Sequence, residues 1–294
     1  MKVKVGIQLG ASNSPLESFW DVVDECERLG FDSLWLSERI SGRLPDSLTA
    51  LGAIAGRTQR LKFGTSVLVA PAYNPVLLAK MLATLDVLSG GRVLPAVGLG
   101  QDDPRELEAL GLRKAERGRR LDEAIRLMKL LWTQERASFE GEFYQVHDFT
   151  LWPRPVGPLP NAVWVGGSSD AALRRAGRLC DGWLPSSRTP AEVAAGVHAI
   201  QEYATQAGRA MPDDHFGALI PMSYDSAAAD QLRQRRPELD PREFAAFGNS
   251  QVMVDLARRY IDAGASKLVI LPVTAGDLRQ LGRLKEEVAA PLEG

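Results

Sequence analysis

The stretch that decides the fold is "LKFGTSVLVAPAYNPVLLAKMLATLDVLSGGRVLPAVGLG", residues 61–100. Two apolar runs, Leu61–Ala70 and Arg92–Val97, flank a segment carrying Leu78, Met81, Leu82, Leu85 and Leu88 at helical spacing. Asn74-Pro75 offers an N-cap and a proline at the first helical position, and Gly90-Gly91 ends the helix. The unit reads strand, helix, strand.

The same alternation extends in both directions. Val3–Leu9 and Phe31–Ser37 are strand patterns, separated by a helix with Leu16, Phe19, Trp20, Val23, Cys26 and Leu29 on one face. Ser14-Pro15-Leu16-Glu17 reads as its capping start and Gly30 as its end. A second helix spans Asp46–Arg57 and a longer one Arg120–Trp132. Further strands fall at Ala162–Val165, Gly182–Leu184, Phe216–Pro221 and Lys267–Leu271. Eight strands alternating with about eight helices predict a parallel α/β protein, and a (β/α)8 TIM barrel fits count and length better than an open sheet. Two connections exceed ordinary length, Thr133–Asn161 and Met222–Asn249, so insertions are expected after strands 4 and 7. "SFEGEFYQV" (138–146) reads as a hairpin, and the second insertion as a helical excursion or lid. One domain, 1–294, is expected.

Bulk chemistry narrows the partners. Lys and Arg number 35 against 37 Asp and Glu, a net charge of −2, which gives no field to recruit nucleic acid or an anionic membrane. The N-terminus has no apolar signal-peptide core, no run approaches a membrane span, and Cys26 and Cys180 have no metal-ligand spacing. Cys26 reads as a small buried hydrophobe. A cytoplasmic, metal-free enzyme acting on a small molecule is expected.

In a barrel of this kind chemistry gathers where strands end. "SERISGR" (37–43) puts Glu38 and Arg39 at the mouth, either as a solvated pair or as catalytic and anchoring groups. "VGLGQDD" (97–103) is not a dinucleotide fingerprint, because Asp103 stands where the third glycine belongs. Gly98 and Gly100 either make a tight turn or let a planar ligand approach the backbone, with Gln101 offering its amide. "GGSSD" (166–170) is either a capped turn, with Asp170 as the cap, or a cradle whose bared N–H groups hold an anion at a helix N-terminus, with Arg174 and Arg175 one turn in. Gly64, Thr65 and Ser66 inside an apolar strand suggest a bulge or small inward-facing residues.

Five stretches taken in order resemble the bacterial luciferase-like family of flavin and deazaflavin oxidoreductases. They are "FDSLWLSE", residues 64–100, "GRRLDEAIRLMKLLW", "FEGEFY", and "VWVGGSSDAALRRAGRLCDGW" with its Gly-Gly loop. "TSVL" is most similar to the branch that uses coenzyme F420, whose third strand bulges through a non-prolyl cis peptide behind the ring; Ser66-Val67 matches that position. The resemblance implies that Gly166, Gly167 and Ser168 hold coenzyme phosphate and that Gly98, Gly100 and Gln101 line the ring. It also implies a homodimer. Many deazaflavin relatives have Asp-His where this chain has Glu38-Arg39, and Gln101 stands where sugar-phosphate-oxidising members have a catalytic glutamate. An arginine does not serve as a general acid near neutrality. The expected activity is hydride transfer between F420 and an organic substrate, with Glu38 and Arg39 as catalytic candidates. The alternatives are an FMN-dependent monooxygenase of the same family, a flavin-binding protein without turnover, and a phosphosugar isomerase with Glu38 as base.

Overall fold

A computed structural model describes residues 2–10, 16–159 and 162–293. Nine strands form one curled sheet: β1 (Lys4–Leu9), β2 (Ser33–Leu36), β3 (Lys62–Leu68), β4 (Val93–Val97), β7 (Trp164–Val165), β8 (Gly182–Trp183), β9 (Gly217–Ser223), β10 (Ala246–Phe247) and β11 (Lys267–Pro272). Their order is β10-β9-β11-β1-β2-β3-β4-β7-β8, and every pair is parallel. Isolated parallel bridges from Trp183 to Phe216 and from Ser186 to Leu219 bring the stretch around β8 beside β9.

The strands alternate between two apolar environments, as a pleated backbone requires. Leu34 and Leu36 join the large core under the helices, whereas Trp35 between them joins Trp164, Leu184, Leu219, Val269 and Leu271 in a second core. The helices cover the first core. They include α1 (Phe19–Leu29), α2 (Ser47–Arg57), α3 (Pro75–Ser89), α5 (Arg117–Thr133), α6 (Asp170–Leu179), α7 (Pro190–Gln206) and α9 (Ser250–Asp262). The expected cap of α3 is present, Asn74 accepting from the N–H groups of Val76 and Leu77; Asp46, read as the first residue of α2, is instead its cap and accepts from the Thr49 N–H. Cys26 is fully buried on α1. The proposed cap at Ser14-Pro15 lies outside the described residues, and α1 itself starts only at Phe19, after a 3-10 turn over Leu16–Ser18.

Two expectations about faces differ. Trp20 was placed on the inner face of α1 but stands half-exposed under the Arg57 guanidinium, 5.0 Å from its ring centroid. On α3, Leu78, Leu82 and Leu85 are buried, while Leu77 (61% exposed), Met81 (45%) and Leu88 (72%) form a second stripe facing away. The helix is apolar on both sides, so spacing alone does not say which stripe meets the sheet. Between α5 and β7, the expected hairpin is β5 (Ala137–Glu140) antiparallel to β6 (Gln145–Phe149). Buried Glu123 on α5 holds its turn by accepting the N–H groups of Glu142, Phe143 and Tyr144. After β9 the chain makes a short helix, α8 (Ala229–Leu232), before β10 returns beside Met222 and Ser223.

At the strand starts, Asp32 takes Lys267 at 2.5 Å and Lys62 at 3.0 Å. Burial alone would raise the Asp32 carboxyl, but the two ammonium groups overcome it and hold the group at about 2. Asp32→Ala leaves the Lys267 ammonium buried without its partner, which costs about 3–5 kcal/mol. Because the folded pKa lies below the unfolded one, the pair's stability is present above about pH 4 and is lost as pH falls toward 2. Urea unfolding at pH 7 and pH 3 should therefore show a large Asp32→Ala penalty at pH 7 and a smaller one at pH 3; equal penalties would contradict this.

Candidate active site

The C-terminal ends of the parallel strands, where ligands of such sheets sit, open into a continuous cavity. An outer part of about 720 Å³ and an inner part of about 360 Å³ share Ser37, Glu38, Ser66 and Gln101. The candidate catalytic and cofactor-binding residues, except Ser168, line one part or the other. Glu38 and Arg39 line the outer part; Ser66, Val67, Gly98, Gly100, Gln101, Gly166 and Gly167 line the inner one. Ser169, rather than Ser168, contributes the serine of the glycine loop.

The cavity is organised by a bulge in β3. Its pairing with β4 slips between Ser66 and Leu68, and the Ser66–Val67 peptide is cis, as the resemblance implied. Gln8, a buried polar residue on β1, donates its Nε2 to the Ser66 hydroxyl at 2.6 Å and to the Ser66 carbonyl at 3.2 Å. The Glu38 N–H donates to the Val67 carbonyl at 3.3 Å. The glycines answer to the bulge. A Cβ on Gly98 would sit 2.5 Å from Val67 Cγ2, and one on Gly166 2.7 Å from Val67 Cγ1. Glycine at 98 and 166 leaves room for Val67, a packing reason that the sequence did not suggest.

The loop after β7 keeps the donors an anion needs. Gly167 has φ +89°, a left-handed conformation suited to glycine. Ser169, not Asp170, caps α6, accepting from the Ala172 N–H; Asp170 instead pairs with Arg174 and Tyr203. The two arginines divide: Arg174 turns to that surface pair, while Arg175, 7% exposed, lines the inner cavity and is held by Asp122 and the Gly118 carbonyl. Arg117 fixes the opposite wall by donating to the carbonyls of Leu99 and Gln101 at 3.1 and 2.8 Å. A helix N-terminus beside a buried guanidinium fits a phosphate group, so the residues present suit a phosphate-bearing coenzyme.

Glu38 and Arg39 do not pair with each other. Arg39 reaches Glu106 on α4 (Pro104–Ala109) at 3.2 Å and Asp103 at 3.9 Å. Glu38 accepts from the Val69 N–H at 2.5 Å and from the Tyr73 hydroxyl. Burial raises its carboxyl above the ordinary value against the pull of those two donors, and Asp46 adds to the rise. The sequence reading missed Gln8, Tyr73 and Arg117 as parts of the site, whereas Arg175 was placed one turn into the glycine loop. Gln8 had left one sign, a lone amide inside the apolar run "VGIQL".

Residues 2–268 match the family model of the luciferase-like monooxygenases, and the chain belongs to that family. Among its relatives, the F420-dependent glucose-6-phosphate dehydrogenase of Segniliparus rotundus is 32% identical over 289 residues, covering 90% of this chain and 85% of the relative. The enzyme of the same name from Nakamurella multipartita is 34% identical over 287 residues, covering 91% and 83%. Of solved structures, an F420-dependent secondary alcohol dehydrogenase in complex with an F420-acetone adduct superposes with a TM-score of 0.84 at 20% identity, covering 99% of both chains. The coenzyme F420 dependent tetrahydromethanopterin reductase of Methanopyrus kandleri gives 0.81 at 18%, covering 99% of this chain and all of that one. These two likenesses concern the fold.

If Val67 is the reason for glycine at 98, Gly98→Ala should destabilise the protein by about 1–3 kcal/mol, the usual range for overpacking. In a Val67→Ala background the same substitution should cost markedly less. A thermal-unfolding double-mutant cycle measures this, and additive penalties would contradict it.

Proposed function

We propose that this chain is an F420-dependent oxidoreductase that moves a hydride between the deazaflavin and an organic substrate. The observation that carries the reading is the two-part cavity. Its inner part joins the N-terminal end of α6 to the Ser66–Val67 bulge, and its outer part is a polar chamber over the same bulge. The relatives that are 30–34% identical carry F420-dependent names, which supports the coenzyme. We read the curled sheet as a (β/α)8 barrel in a single domain, 1–294, with insertions after strands 4 and 7. The outward apolar stripe of α3, with Leu77, Met81 and Leu88, is a face suited to a homodimer contact.

The redox chemistry is the coenzyme's: bound F420 accepts or supplies the hydride. The chain's residues position and polarise. Gly166, Gly167 and Ser169, which takes the place expected of Ser168, hold the phosphate with Arg175 beside them. Ser66, Val67, Gly98, Gly100 and Gln101 form the pocket for the ring. Arg39, braced by Glu106, keeps a fixed positive charge at the rim. Glu38 handles the proton that accompanies hydride transfer, taking it in the oxidising direction and returning it in the reducing one. Tyr73 and the Val69 N–H hold that carboxylate toward the chamber. The relatives' glucose-6-phosphate is not carried over, because Glu38-Arg39 and Gln101 replace the residues expected of sugar-phosphate oxidation.

Turnover is read from loss of F420 absorbance in a screen of alcohols. With the best substrate, activity should fall as pH drops through a pKa above the ordinary glutamate value, because the base must be ionised. Glu38→Gln should remove that limb and lower kcat by about 10²-fold or more. Tyr73→Phe deletes a hydrogen bond that favours the carboxylate, so the limb should move to higher pH. Full kcat in Glu38→Gln would reject Glu38 as the proton carrier.

A further inference from the structure

Arg117 begins α5 and is only 6% exposed, yet it lines neither part of the cavity. Its guanidinium is spent on one loop, the one that follows β4. Nη1 donates to the carbonyls of Leu99 and Gln101 at 3.1 and 2.8 Å, and Nη2 to the Asp102 carboxylate at 3.3 Å. Nε has no partner among the described residues, so every bond the group makes goes to residues 99–102. A buried guanidinium is costly unless acceptors meet it, and these loop oxygens are the ones that do.

The consequence falls on the other side of the loop. The cis peptides among the described residues are Ser66–Val67 and Trp152–Pro153, so those following Leu99 and Gln101 are trans. In a planar trans peptide the N–H points opposite to the C=O. Carbonyls drawn to Arg117, outside the cavity, therefore turn the N–H groups of Gly100 and Asp102 away from it, and Gly100 lines the inner cavity. Neither N–H has an acceptor among the described residues. Gly100 takes φ +75°, a left-handed turn of the kind that gathers backbone N–H groups on one side. The Gln101 side chain also has no partner among the described residues, and it stands where the two parts of the cavity meet.

We propose that Arg117 is a positioning residue of the ring pocket. By holding two carbonyls behind the loop, it keeps the Gly100 N–H and the Gln101 amide in front, as donors for the carbonyl oxygens of a deazaflavin ring. Without Arg117 the same carbonyls would be free to turn inward and set acceptor against acceptor. The inference rests on the coenzyme reading above and adds to it a residue that acts through the loop and lines no part of the cavity.

The test titrates the protein, followed by absorbance, with F420 and with the same deazaflavin stripped of its phosphate and everything beyond it. Arg117→Met should weaken both ligands about tenfold, the order expected for losing one well-aimed hydrogen bond. The ratio of the two affinities reports the phosphate's share. It should stay within about twofold of the wild-type ratio, because Ser169 and Trp183 hold the glycine loop independently of Arg117. A ratio that collapses would mark a general loosening of the site, and unchanged affinity for the phosphate-free ligand would mean an intact ring pocket. Either result would overturn the inference. Arg117→Lys keeps the charge but lacks the planar fork, so it should lie between wild type and Arg117→Met. If Arg117→Met does not fold, Arg117→Lys decides: weaker binding of the phosphate-free ligand upholds the inference, and wild-type affinity overturns it. A wild-type protein that binds F420 but not the phosphate-free ligand also overturns it, since the pocket then holds no ring by itself. If wild type binds neither ligand, the coenzyme reading fails and the inference falls with it.

Discussion

The contact on which the site depends is Val67 pressed between two glycines. Its methyl groups occupy the space that a side chain at Gly98 or Gly166 would fill, and those glycines end β4 and β7. Three neighbouring strand ends are thereby locked to one bulge, which Gln8 on a fourth strand secures from behind. Small changes in this packing would shift the ring pocket and the phosphate loop together, because both are built on the same residues. Close-packed interiors pass such displacements on instead of absorbing them.

Charge is arranged with the same economy. Glu38 and Arg39 are adjacent in sequence but face different partners, the former turned to Tyr73 and Val69 and the latter to Glu106. Had they paired, Arg39 would have held the Glu38 carboxyl down. Separated, burial decides, and the carboxyl rises. A carboxyl poised upward beside an always-charged guanidinium gives one group that can exchange a proton and one that cannot. At the opposite ends of the strands, Asp32 is held low by two lysines and serves stability. The two acids lie just before and just after β2 and do different work because of their neighbours.

Much of this was legible in the sequence, since apolar runs with caps and closing glycines announce strands and helices locally. The 61–100 unit folds much as its pattern suggests, and Glu38, Ser66, Gly98 and Gly167 reach one cavity because they follow parallel strands. What stayed hidden depends on contacts distant in the chain. The glycine at 98 is explained by a valine at 67, and Gln8 acquires its role from Ser66, 58 residues on. The two-sided apolarity of α3 could not reveal which stripe faces the sheet, because the difference lies in what covers each face and not in the residues.

The central claim is that the bulge, its glycine neighbours and the helix start form a deazaflavin site. The most direct measurement is titration of the purified protein with F420 and, in parallel, with FMN, followed by absorbance and calorimetry. Saturable one-to-one binding of F420, with FMN bound much more weakly, is the expected result. Tighter binding of FMN, or binding of neither, would contradict the account.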